Sequence, residues 1–426
     1  MASRDVNWID GLRGCASFIV VAGHLCTSFV PHLHAPANVG ESPELFQLPF
    51  LRLCVGGRSA VAIFFLVTGY VNSMGPIKRA RAGNTDAALN GLSRSALSRT
   101  GRLVLPASLS TFISWLFCHT GVYTLAKRAD APWIRQGAPP AHPTVYGATY
   151  DLIWSEIRTW AYGENEYDGT QWTLILFLEG SMIVYTTLLA TVHVKPAYRK
   201  GILIGLYIYS WISGMALKSM NIYTGMLLAE LHADLGSDAT SLLPRPVPVL
   251  MMILGLFLCG YPQDAPERAP WSSVLYHFGS KWVPHNGDLR RYWDHIGAST
   301  LLFGVFFSAT ARKILTQPFF NFLGRVSFPV YLIHNQLIKT ILVFMVYGAA
   351  AIHQPLRMDE DGKPIPLQRG GIGTFLIAIP AFYWFLYGIA HLWSKYVDPM
   401  CGKITNWAMN RAYGRTETTE RKPLPS

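Results

Sequence analysis

Charged side chains are scarce in this chain: Lys, Arg, Asp and Glu make up 14% of its 426 residues, where a soluble domain carries about a quarter. Hydrophobic residues make up 50% and gather in blocks of about 17 to 24, long enough to cross a hydrocarbon core. A soluble enzyme would distribute them more evenly. The six cysteines include no CxxC pair. On one helix, Cys15 and Cys26 lie about 16 Å apart, too far to bridge. Neither a disulfide framework nor a metal site is expected. The chain also lacks a Walker loop, an HExxH helix, a GxSxG elbow and any His-x4-Asp pair. Their absence excludes P-loop pumps, zincins, serine hydrolases and the usual soluble glycerolipid acyltransferases.

What is present is a series of apolar runs near 11–31, 57–75, 103–122, 171–192, 200–216, 221–232, 246–262, 296–311, 325–349 and 371–394. They predict an all-α, polytopic transmembrane bundle of about ten spans. The first run carries Arg13 and His24 and lacks a clean cleavage site, so it reads as a retained helix rather than a signal peptide. The formal charge of +11 resides in short connectors rather than along one helix face, which argues for membrane orientation and against nucleic acid. Lys78, Arg79, Arg81, Arg94, Arg99 and Arg102 face one acid, Asp86, in the connector 76–102. That connector is expected in the cytosol. Strict alternation then puts both termini there and 123–170, 263–295 and 350–370 outside. The expected organisation is a cytosolic N-terminus at 1–10, a membrane domain at 11–394 and a basic, disordered cytosolic tail at 395–426.

An ionisable residue at membrane depth costs several kcal/mol and faces the bundle interior or a wet cavity. Arg13 and His24 in GLRGCASFIVVAGHL fall within about 20° on one helix face, about 16 Å apart in depth. They are expected to line one groove, although a snorkelling Arg and a hydrogen-bonded His would share the pattern. Arg99 and Arg102 in SRTGRLVLP share a face at i, i+3. Their guanidiniums suit the phosphates of a nucleotide-bearing donor, or plain positive-inside anchoring. Glu179 in QWTLILFLEGSMIVY lies about 12 Å into its run. It is expected to orient the His24 imidazole, or else to make a polar packing contact. FLGRVSFPVYLIHNQ places Arg325 at the cytosolic rim and His334 with Asn335 near mid-membrane. His334 is a second candidate base, or a link in an interhelical network. IFFLVTGYVNS, with Thr68, reads first as a close helix contact.

Arg13-x10-His24, IFFLVTGY, Arg99-x2-Arg102-Leu103-x2-Pro106, QWTL with Glu179, NIYTGMLLAEL and LGRVSFPVYLIH occur in this order. Together they resemble the acyltransferase-3 family of integral membrane O-acyltransferases over nearly the whole chain. The resemblance implies transfer of an acyl group, commonly acetyl, from coenzyme A on the cytosolic side to a hydroxyl. It also marks departures. Thr68 stands where the family usually has Ser, and Phe328 where it usually has Tyr. Arg58 takes a position that is commonly apolar or glycyl. The additional extracytoplasmic domain of members that modify surface polymers is not expected here. That leans the acceptor towards a small metabolite, as in secondary metabolite biosynthesis, over a glycan or lipid.

Residues and resemblance combine into one expectation. Arg13, Arg99, Arg102 and Arg325 bind acyl-CoA, a co-substrate rather than a permanently bound cofactor. His24, Glu179 and His334 carry the proton chemistry, and Thr68 or Asn335 donates to the oxyanion or holds the acceptor. A proton-coupled transporter or flippase would use similar residues, and a scaffold would need none of them. Internal repeats, which would favour a carrier, are not detected.

Overall fold

The computed structural model describes residues 7–354, 358 and 365–414. Its regular elements are helical, and an isolated bridge joins Ala129 and Leu367. In chain order they are α1 (Asn7–Phe29), α2 (Arg58–Arg81), α3 (Thr85–His119), the short α4 (Pro132–Gln136), α5 (Val145–Tyr162), α6 (Thr173–Thr191), α7 (Pro196–Ile212) and α8 (Ser219–Leu235). The short α9 (Ala239–Leu242), α10 (Pro246–Cys259), α11 (Pro270–Gly279), α12 (Leu289–Phe307), α13 (Ala309–Leu315) and α14 (Pro318–Leu337) follow. A π-helical turn at Ile338–Leu342 joins α14 to α15 (Val343–His353), and α16 (Ile372–Ala412) closes the series.

Among the described residues six helices are long and apolar enough to cross a membrane, or up to eight if each of two bent pairs counts as one span. The expected count of about ten is not confirmed. α7, with 17 residues, is at the lower limit for a crossing, and α10, with 14, falls short of it. α8 with α9 passes the length test only together with α10, across a 106° bend, and α12 only with α13, across a 100° bend. Apolar runs in sequence do not show such bends.

Two further expectations change. The connector 123–170 is not simply an external loop, because α5 runs antiparallel along α3. Trp115 Nε1 donates to Ala148 O at 2.8 Å, and Ser108 Oγ to Glu156 Oε2 at 2.8 Å. The chain then turns back along α3: Asn165 Nδ2 donates to Thr111 Oγ1 at 2.9 Å and Ser114 Oγ to Tyr167 O at 2.8 Å. Irregular backbone is thereby set against the middle of a membrane-length helix, which is tolerated only where protein buries it or a cavity receives it. The tail is not disordered from 395, since α16 continues unbroken to Ala412 with Cys401, Thr405 and Met409 buried. At 41 residues it is about 60 Å long. Residues 415–426 lie outside the described residues.

Close helix approaches organise the core. A Cβ on Gly14 would come within 2.6 Å of Gly324 N, and one on Gly324 within 2.1 Å of Asp10 O. Only glycine lets α1 and α14 meet backbone to backbone there. α2 and α8 meet likewise, where Gly225 faces Leu66 O. The acids of NIYTGMLLAEL and the residues after it also act as ties. Glu230 is fully buried and pairs with Arg199 and Arg81, while Asp234 pairs with Arg81 at 2.6 Å and Lys200 at 2.8 Å.

Candidate active site

Packed in register at Gly14 and Gly324, α1 and α14 bring their polar residues together in two tiers. In the lower tier Arg13 Nε donates to Ser327 Oγ at 2.9 Å and Arg13 Nη2 to Gly324 O at 2.7 Å, with Asp10 Oδ1 at 3.3 Å. In the upper tier the ring of His24 stacks on that of His334, with centroids 5.1 Å apart and planes at 29°. Trp133 of α4 also stacks on His24, at 5.2 Å and 24°. Arg13 and His24 thus share one helix face, as the spacing predicted, and both meet α14.

The tautomer of His334 follows from its surroundings. Its Nδ1 faces Tyr331 O at 2.7 Å and Val330 O at 3.2 Å, two groups that only accept, so Nδ1 carries the proton. Nε2 is then a bare acceptor, and it is buried without a partner. The His24 ring has no hydrogen bond among the described residues and is partly accessible. A lone-pair nitrogen beside a second, unconstrained imidazole is the equipment of a general base.

Glu179 does not join this group. Its carboxylate pairs with Lys218, and 45% of its side chain is exposed. The expected Glu179–His24 contact is therefore absent, because Glu179 lies on the face of α6 turned away from the bundle centre. Asp168 is the carboxylate whose charge acts on His334. It is wholly buried on the turn before α6, and its Oδ1 accepts from Asn335 Nδ2 at 2.6 Å and Thr170 Oγ1 at 2.7 Å. Asn335 therefore has an amide hydrogen committed to Asp168, while its Oδ1 is buried and unpartnered. The Thr68 hydroxyl donates to Phe64 O of its own helix at 2.8 Å. The expected oxyanion donors are thus engaged elsewhere in this state.

Arg99 and Arg102 line a cavity of about 360 Å³ with Arg94, Tyr185, Asn406 and Met409. Arg99 Nε also donates to Ser181 Oγ at 3.3 Å, and its charge is felt by that of Arg13. Arg325 is exposed and outside the cavity lining. Arg58, the departure in α2, pairs with Asp288 at 3.1 Å and Asp294 at 3.5 Å. A larger, apolar hollow of about 530 Å³ between α3 and α5 touches neither histidine.

Asp168, Trp133 and Lys339 are not among the residues expected from the sequence. Trp133 and Asp168 sit in stretches whose Pro, Gly and polar content reads as connector. Lys339 was within reach, since an amine inside the run 325–349 is an ionisable residue at membrane depth.

Compared with known families, residues 6–393 match the model described as an acyltransferase domain, Acyl_transf_3. The chain belongs to the acyltransferase-3 family. Over 457 aligned positions it is 26% identical to O-acetyltransferase PaAT-1 of Phomopsis amygdali, covering 99% of this chain and 87% of that one. It is 25% identical to acyltransferase R4 of Phoma sp., covering 87% and 91%, and 25% identical to acyltransferase clz18 of Cochliobolus lunatus, covering 78% and 82%. No solved structure matches it. In this member of the family the two histidines stand together, whereas the carboxylate of the QWTL segment faces outward.

Proposed function

We propose that this acyltransferase-3 protein moves an acyl group, acetyl by preference, from acyl-CoA to a hydroxyl of a small metabolite, with both termini and the donor cavity on the cytosolic side. The stack of His24 on His334, with the His334 tautomer fixed, carries the reading. The arginine-lined cavity supports it, because guanidinium forks suit the phosphates of coenzyme A. So does the relative whose name specifies O-acetyl transfer. The basic connector 76–102 supports the orientation.

In this reading Arg13, Arg99 and Arg102 hold the donor phosphates, and the pantetheine arm follows the α1–α14 groove towards His24. The histidine pair takes the proton from the acceptor O–H, and the oxygen forms a bond to the thioester carbonyl carbon. The C–S bond then breaks, and the thiolate leaves with the proton returned by the imidazolium. The products are an ester and free coenzyme A. A general base of this kind contributes ~10²- to 10⁴-fold.

Membranes containing the protein, given labelled acetyl-CoA and a panel of hydroxylated small molecules, test this. Label is expected in an acceptor with wild type and to fall at least ~10²-fold with His24→Ala. Equal transfer by both would remove His24 from the chemistry. No transfer by either, together with proton-driven solute uptake, would favour a carrier.

A further inference from the structure

Asp168 has no accessible surface, sits on irregular backbone, and is surrounded by donors. Besides Asn335 and the Thr170 hydroxyl, it accepts from Thr170 N at 3.1 Å and Gln171 Nε2 at 3.5 Å. Those donors fill most of the hydrogen-bonding capacity of the carboxylate without water. Lys339 lies opposite on the π-helical turn, 1% exposed. Its Nζ donates to Tyr167 O at 3.3 Å and stands 5.5 Å from the centroid of the Tyr123 ring. Among the described residues it makes no ion pair within 4.0 Å, yet the charge of Asp168 acts on it and on His334. π-Helical turns inside α-helices are frequent at functional sites.

We propose that Asp168 is a positioning residue for acyl transfer: through Asn335 it holds the His334 end of α14 against His24, and it supplies the fixed counter-charge for the imidazolium formed when the histidine pair takes the acceptor's proton. Lys339 balances the carboxylate between turnovers. The assignment rests on the acyl-transfer reading. A buried imidazolium without a partner is costly in a low-dielectric interior, and Glu179, outward and bound to Lys218, does not provide one. The Asp168 charge acts on His334, Tyr331 and Lys339 from α14 and its π turn and on Tyr123, while Asp151 and Glu166 act on Tyr167 beside it. Among the described residues Asp168 is the carboxylate whose charge acts on His334.

The test uses the full-length protein in membranes, labelled acetyl-CoA and an acceptor that wild type labels. Asp168→Asn is expected to lower kcat by about 100-fold while leaving KM for acetyl-CoA within a few-fold, and Asp168→Glu to restore part of the rate. A purely structural role would lower the amount of folded protein with no change in kcat per folded molecule. Should Asp168→Asn fail to fold, the variant D168N/K339M, which removes both charges, is expected to fold and to remain slow. Wild-type kcat in Asp168→Asn or in that double variant overturns the assignment while leaving the acyl-transfer reading intact. If wild type labels no acceptor, that reading falls and the assignment with it.

Discussion

The imidazole of His24 lies face to face with that of His334, centroids 5.1 Å apart, and Trp133 also stacks on His24. Two rings this close, in a buried site, disfavour a second positive charge beside the first, so the pair accommodates one transferred proton. His24→Ala and His334→Ala are each expected to lower kcat by ~10²- to 10⁴-fold. The double variant is expected to be little worse than the slower single, as for residues that act as a unit. Single-turnover rates check this, and losses that simply multiply would show two independent residues.

The arginine cavity predicts a separable effect on the donor. Losing one charge-assisted contact of about 1.5–3 kcal/mol should raise KM for acetyl-CoA roughly 10- to 100-fold in Arg99→Ala. An acetyl-pantetheine donor, which lacks the nucleotide phosphates, should be used equally by Arg99→Ala and wild type. A matching loss with both donors would place Arg99 in the packing of α3 on α6 instead.

Glu179 offers the opposite expectation. An ion pair this exposed is worth about 0–1 kcal/mol. Glu179→Gln should therefore keep kcat within about fivefold of wild type. A loss of two orders of magnitude in the acetyl-transfer assay would return Glu179 to the chemistry.

Helix register is the remaining lever. Gly324→Ala puts a methyl against Asp10 O, and forced overpacking of this kind costs about 1–3 kcal/mol. A lower melting temperature of the detergent-solubilised protein is expected, with reduced transfer because Arg13 and His24 lose their seats on α14. An unchanged melting temperature would mean that the two helices separate without strain.

Much was legible in the chain itself. The apolar runs announced a helical membrane protein, because transfer of apolar side chains from water depends on composition and length alone. The Arg13-x10-His24 spacing placed both residues on one face, since a helix repeats its geometry wherever it lies. His334 was found because an imidazole in a span is costly anywhere in the fold. Other features depended on contacts between segments far apart in sequence. Bends of 106° and 100° leave the expected span count unconfirmed, since an apolar run shows how much chain could cross and not where its path turns. Glu179 and Asp168 exchanged places as candidate partners of the histidines. Glu179 is in an apolar helix but turned outward to Lys218, and Asp168 is in a polar connector that α5 carries back along α3. The helical period assigns a residue to a face. Which face meets the histidines was decided by how α5, α6 and α14 pack together.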